Sequence, residues 1–177
     1  MYLLNKLLLI LFLITIATSL VAADSYVVEE IERLTPDSTF VWPKSINNKG
    51  RVVGYGDTTA GINHGFVWNV ATGVEDLGDL AGGADTSEAH DINDAGQIVG
   101  VSNAATGKRA VLWDTNGSMI NLGDLPGGLD HSEAAAINDA GQIAGMSKTD
   151  VGAVPFLWDV TNGLQAINNL PGKIGRA

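Results

Sequence analysis

The sequence predicts an all-β repeat protein of four-stranded antiparallel blades, β-propeller-like and incomplete, with about three blades plus one outer strand. Three observations carry this expectation. A set of short words returns every 45 or 46 residues. Glycine is abundant, at 22 of 177 residues, and falls between short apolar runs. Those runs lack the 3.6-residue period of an amphipathic helix, and many tight turns with few charges suit strands rather than helices.

Taken in chain order, the first 23 residues read differently from the rest. Lys6 precedes the apolar run Leu7 to Ile14, and Val21-Ala22-Ala23 supplies small residues at its exit. A basic start, a short apolar stretch and a small-residue end form the pattern of a secretory signal peptide. The stretch is short for a bilayer span, and no basic stop-transfer cluster follows it. Residues 1–23 are therefore expected to be a signal peptide, and 24–177 the repeat domain, in a secreted or periplasmic protein of bacterial-type export.

Loss of that segment leaves nine basic residues against twenty acidic ones. Phosphate binding depends on clustered Lys and Arg, so this balance argues against nucleic acid. It equally disfavours an anionic membrane surface once the signal is cleaved. The sequence has no cysteine, which excludes disulfides, a thiolate metal site and a Cys nucleophile.

Next comes Val28 to Leu34, whose Val-Glu-Glu-Ile pattern matches Val74-Glu75-Asp76-Leu77 in register. It reads as an outer strand without the three inner strands that should precede it. Three complete repeats follow, at about 40–80, 86–125 and 131–170. Ile92-Asn93-Asp94-Ala95-Gly96-Gln97-Ile98-Val99-Gly100 recurs as Ile137 to Gly145, and more loosely as Ile46 to Gly54. Trp68, Trp113 and Trp158 stand 45 apart. Leu77-Gly78-Asp79-Leu80 recurs as Leu122 to Leu125, and weakly as Ile167 to Leu170. Self-similarity at one fixed period, in one fixed order, marks a repeat architecture.

In the second repeat, strands are expected at about Ala89–Asn93, Gln97–Ser102, Arg109–Trp113 and Ser118–Leu122. Asp94-Ala95-Gly96 and Asn116-Gly117 supply turns, glycine reaching positive φ at low cost. Asn103 to Lys108, and Lys148 to Ala153 in the third repeat, read as more variable loops suited to ligand contacts. Ala110-Val111-Leu112-Trp113 is apolar on successive residues, which implies a strand covered on both faces. Four antiparallel strands in about 45 residues is the size of a propeller blade, and closed rings have about four to eight of them. Three blades therefore imply either further repeats downstream or completion by a homo-oligomer.

The words around Trp68, Leu77-Gly78-Asp79-Leu80 and Ile92 to Gly100 resemble the HAF family of bacterial extracellular repeats. The family's tripeptide stands in altered form as His64-Gly65-Phe66, Arg109-Ala110-Val111 and Val154-Pro155-Phe156. The resemblance covers residues 28–172. It implies an exported repeat protein and brings no catalytic residues with it.

Several motifs were weighed for chemistry. Asp114-Thr115-Asn116-Gly117-Ser118 begins like a calcium loop but lacks the closing acidic residue, so a hairpin turn is expected. Asp94 and Asp139 fit turns rather than cation ligands. His64, His90 and His131 do not recur in register and are expected on the surface or in loops. Ser87-Glu88 and Ser132-Glu133, with a histidine nearby, sketch a nucleophile and base without a nucleophile elbow. Trp68, Trp113 and Trp158 are expected in the core rather than stacked on sugars. Trp42, outside the repeated word, is the better exposed aromatic, with packing still favoured.

No residue is assigned a catalytic, cofactor or metal role. The expected function is an exported, non-catalytic module that contacts an unidentified protein or glycan. The alternatives are a propeller-type polysaccharide hydrolase and a calcium-stabilised extracellular array.

Overall fold

The computed structural model describes residues 29–58 and 61–167. The expected signal peptide and the residues from 168 onward, including the end of the third repeat, lie outside the described residues. Among those described, the chain is all-β, with twelve strands and no helix.

The strands form three successive antiparallel meanders, one per repeat. The first holds β1 (Val41–Ile46), β2 (Val52–Asp57), β3 (Asn63–Asn69) and β4 (Gly73–Asp76). The second holds β5 (Ser87–Ile92), β6 (Ile98–Ala104), β7 (Gly107–Trp113) and β8 (Met119–Gly123). The third holds β9 (Gly128–Ile137), β10 (Ile143–Thr149), β11 (Gly152–Asp159) and β12 (Gly163–Ala166). The first meander is a sheet of its own. The second and third share a larger sheet through one parallel bridge, Lys108 to His131, between β7 and β9.

Each first strand carries a β-bulge against its second strand, between Pro43 and Ser45, between Ala89 and Asp91, and opposite Ala144–Gly145. The recurrent glycine of the word Ile-x-Gly lies across from it. A Cβ on Gly54, Gly100 or Gly145 would run into the carbonyl of Trp42, Glu88 or Glu133. Only glycine admits that close backbone approach.

The meanders stack face to face. Val53 and Val67 of the first repeat pack on Ala89, Ile92, Ile98, Val111 and Trp113 of the second. Val99, Ala110 and Leu112 on the second repeat's other face pack on Ala134, Ile137, Ile143 and Phe156 of the third. The middle repeat is thus buried on both sides, and Ala110 to Trp113 is fully covered. This is why that strand reads as an unbroken apolar run. In β10 and β11 of the third repeat, buried and exposed residues alternate instead.

Two expectations need correction. Residues 29–34 pair with no strand, although Glu32 lies against the first repeat: Trp68 Nε1 donates to its Oε2 at 2.9 Å. An outer strand pairs only with the third strand of its own blade, and no such strand lies beside 29–34 among the described residues. Arg33 donates to the Ser38 carbonyl at 2.9 Å, and the stretch that follows is anchored on Asp57. The amides of Phe40 and Thr39 donate to its carboxylate and hold its pKa below the usual range. Secondly, the loops expected at 103–108 and 148–153 are two-residue hairpin turns. Strands run to Ala104 and Thr149 and resume at Gly107 and Gly152, whose φ values of 99° and 114° close the turn.

Candidate functional site

The side chains that recur every 45 residues lie at the seams between repeats. Asn47 Nδ2 donates to the Asn93 carbonyl at 3.0 Å, and Asn93 Nδ2 to the Asn138 carbonyl at 3.1 Å. The Asn48 backbone N–H donates to Asp94 Oδ1 at 2.9 Å, and the Asp94 N–H to Asp139 Oδ1 at 2.9 Å. Each turn therefore donates to the equivalent turn of the next repeat. Asp94 also accepts the Asn48 side-chain amide, which, with the backbone bond, lowers its pKa. The turn reading of Asp94 and Asp139 stands, with this added role.

The serines follow the same rule. Ser87 and Ser132, expected ahead of the first strands, lie within β5 and β9 and are almost wholly buried. Ser87 Oγ accepts the Gly65 N–H at 3.0 Å and donates to the Gly78 carbonyl; Ser132 does the same with Ala110 and Gly123. Ser102 and Ser147 accept the N–H groups of Leu80 and Leu125. These hydroxyls join strand, connector and neighbouring repeat, and none faces solvent. At the centre, Asp91 of β5 accepts Ser45 Oγ at 2.7 Å on one side and the Ile137 N–H at 2.9 Å on the other. One carboxylate thus ties the first strands of all three repeats.

The Asp114 turn is a hairpin, as expected: its Oδ1 accepts the N–H groups of Asn116 and Ser118, both at 2.9 Å. The histidines are corrected. All three lie within strands, on β3, β5 and β9, with side chains 13%, 21% and 22% exposed. Each is fixed by a carboxylate: His90 sits 3.6 Å from Glu88, and His131 3.0 Å from Glu133. His90 Nδ1 also bonds the Ala134 carbonyl at 2.8 Å, across the second seam.

His64 is the hub of an acidic group. Its Nδ1 meets Asp76 at 2.8 Å and its Nε2 meets Asp85 at 3.3 Å. Burial works against charge on the ring, but the hydrogen bonds and charges of Asp76 and Asp85 outweigh it and raise its pKa. Asp79 completes the group; burial and the neighbouring Asp85 carboxylate raise its pKa. Ligand atoms of His64, Asp79 and Asp85 lie within 4.8 Å of one another. Sequence reading missed this group, because its members are single residues from β3, from the end of β4 and from the connector to β5.

The seams also leave clefts. Between the second and third repeats lies one of about 650 Å³, lined by Trp158, Gln97, Gln142, Asp114, Asp139 and Asp159 among others. Trp158 is half-buried at its edge, whereas Trp113, its equivalent one repeat earlier, is 1% exposed and donates to the Leu77 carbonyl at 2.9 Å. The corresponding cleft between the first two repeats is about 270 Å³, and Arg51 stands there in place of Gln97. The core expectation holds for Trp113 and only in part for Trp68 and Trp158, which are half-buried. Trp42 is 57% exposed, so packing does not claim it. Compared with protein-family models, with curated proteins and with solved structures, the chain matches none.

Proposed function

We propose that this chain is an exported, non-catalytic interaction module of the HAF-repeat type, an arc of a β-propeller that binds a glycan in the cleft between its second and third repeats. The propeller reading draws on the first strands. β1, β5 and β9 are drawn together by Asp91, and their turns, at 46–48, 92–94 and 137–139, surround a common hollow of about 270 Å³. Innermost strands gathered around one axis are what a propeller requires.

The observation that carries the glycan reading is the lining of the larger cleft: an indole, two glutamine amides and three carboxylates. A sugar offers an apolar C–H face to stack on an aromatic ring and hydroxyls to donate to carboxylates and amides. Titration of the mature chain with a panel of neutral oligosaccharides, followed by intrinsic tryptophan fluorescence, tests it. Saturable quenching that Trp158→Ala abolishes, without loss of the thermal transition, is expected. A panel without saturable change, or binding that survives Trp158→Ala, overturns the glycan reading.

A further inference from the structure

Among the described residues, each end of the stack exposes part of the interface that it uses twice internally; on the first repeat Phe66 is already buried and Trp68 is bonded to Glu32, which leaves the first-strand part open. Ile92 and Ile137 stand at the same position of their repeats and are 5% and 9% exposed, each covered by the repeat before it. Ile46, at that position in the first repeat, is 66% exposed. With Pro43, Val52 and Ile31 it lines an apolar hollow on the face that would receive a preceding repeat. The opposite face tells the same story at the other end. Val67 and Leu112 are each 3% exposed beneath the following repeat, whereas their equivalent Leu157 is 38% exposed. Ala144, equivalent to the fully buried Val53 and Val99, is also exposed.

The polar seam is matched in the same way. Donation runs from each turn to the next, so the third repeat's turn has the donors, Asn138 Nδ2 (one N–H of which bonds Gln142) and the Asp139 N–H, and among the described residues no following turn receives them. The first repeat's turn has the acceptors, the Asn47 carbonyl and the Asn48 side-chain oxygen, and among the described residues no preceding turn. Apolar surface and hydrogen-bonding sense are complementary between the two ends of one chain. A heterologous contact of this kind generates a ring if its rotation closes and a filament if it does not.

We infer that the exposed face of the third repeat docks on the first repeat of a second copy of this chain, head to tail, through the first-strand and turn part of the seam seen between its own repeats. Leu157 and Ala144 then seat on Ile46 and Val52 of the partner copy, and the Asn138 turn donates to the partner's Asn47–Asn48 turn. The docking rests on the stacking alone. Closure with two copies, giving six repeats, rests on the propeller reading.

The mature chain and two variants, Leu157→Glu and Ile46→Glu, are measured by light scattering after size exclusion. Both substitutions are at exposed positions, and an unchanged melt at low concentration confirms folding. The wild type is expected to form an assembly that either variant reduces to single chains. An equimolar mixture of the two variants retains one intact pair of faces and is expected to recover a species of twice the chain mass. Wild type that stays at single-chain mass, or a mixture that shows no recovery, overturns the docking. Open filaments that both variants abolish uphold the docking and overturn the propeller closure, whereas a discrete two-copy species upholds both.

Discussion

At the scale of single residues, the polar side chains of this protein are placed by pairing. A buried hydroxyl without a partner costs about 1–3 kcal/mol, and the interior serines avoid that by accepting an amide and donating to a carbonyl in one stroke. His64 and His90 carry a pH dependence near neutrality. In the folded chain the pKa values of His64 and His90 are raised: burial opposes the charge, but the bonds to Asp76 and Asp85, and to Glu88 and the Ala134 carbonyl, prevail. A group whose folded pKa exceeds its unfolded value stabilises fully below the unfolded value, and that contribution fades as pH rises through the folded one. Urea midpoints are therefore expected to fall as pH climbs from below 6.5, the ordinary imidazole value, into the range above it. The double substitution His64→Gln and His90→Gln should flatten that part of the profile. A wild-type midpoint that stays level or rises across it would contradict this account.

At the scale of elements, the repeated word is a description of one strand pair. The asparagine at each turn, Asn47, Asn93 or Asn138, accepts amides of its own turn through Oδ1, and glycine follows at positive φ, as Gly96 does at 95°. Two residues after the isoleucine of the second strand, a further glycine faces the bulged carbonyl of the first. Gly100→Ala is expected to destabilise by about 1–3 kcal/mol or more, the usual range for forcing atoms into a packed site. The obstacle is backbone and cannot swing away. Gly117→Ala, where a Cβ meets nothing within 4 Å but φ is 81°, should cost less, about 1 kcal/mol from conformation alone. Chemical denaturation of both variants ranks them; equal losses would mean that the close approach is not what selects glycine.

At the scale of the whole molecule, stability is shared between neighbours, as in other stacked repeats. The same residue type at the same repeat position should then matter according to what stands in front of it. Ile92→Ala removes a side chain from between two repeats and is expected to cost about 2–5 kcal/mol. Ile46→Ala, measured dilute enough to keep chains single, should stay within about 0.5 kcal/mol, as surface changes do. Similar losses at both positions would mean that the first repeat's outer face is covered in solution.

Much of this was legible in the residues themselves. The period of the words located three four-stranded units, and in the second repeat the expected strands match the observed ones to within a few residues. The unbroken apolar run Ala110 to Trp113 announced a sheet covered on both faces. The hairpins at Asp114 and at Asn93–Gly96 followed from local chemistry, because a short oxygen side chain closes a turn with amides that are its near neighbours in sequence. What the sequence by itself determined is therefore local or periodic: strands, turns and repeat boundaries. Tertiary structure alone decided which copies of a repeated residue are buried. Ile46 and Ile92 share a sequence context and differ in their neighbours across a seam. It also turned Ser87 and Ser132 from sketched nucleophiles into buried cross-links, gathered Asp76, Asp79 and Asp85 around His64, and opened the cleft beside Trp158. Each of these depends on contacts between residues a dozen or more positions apart. A repeat reports that such contacts recur, but it does not say which side chain points across the seam and which into water.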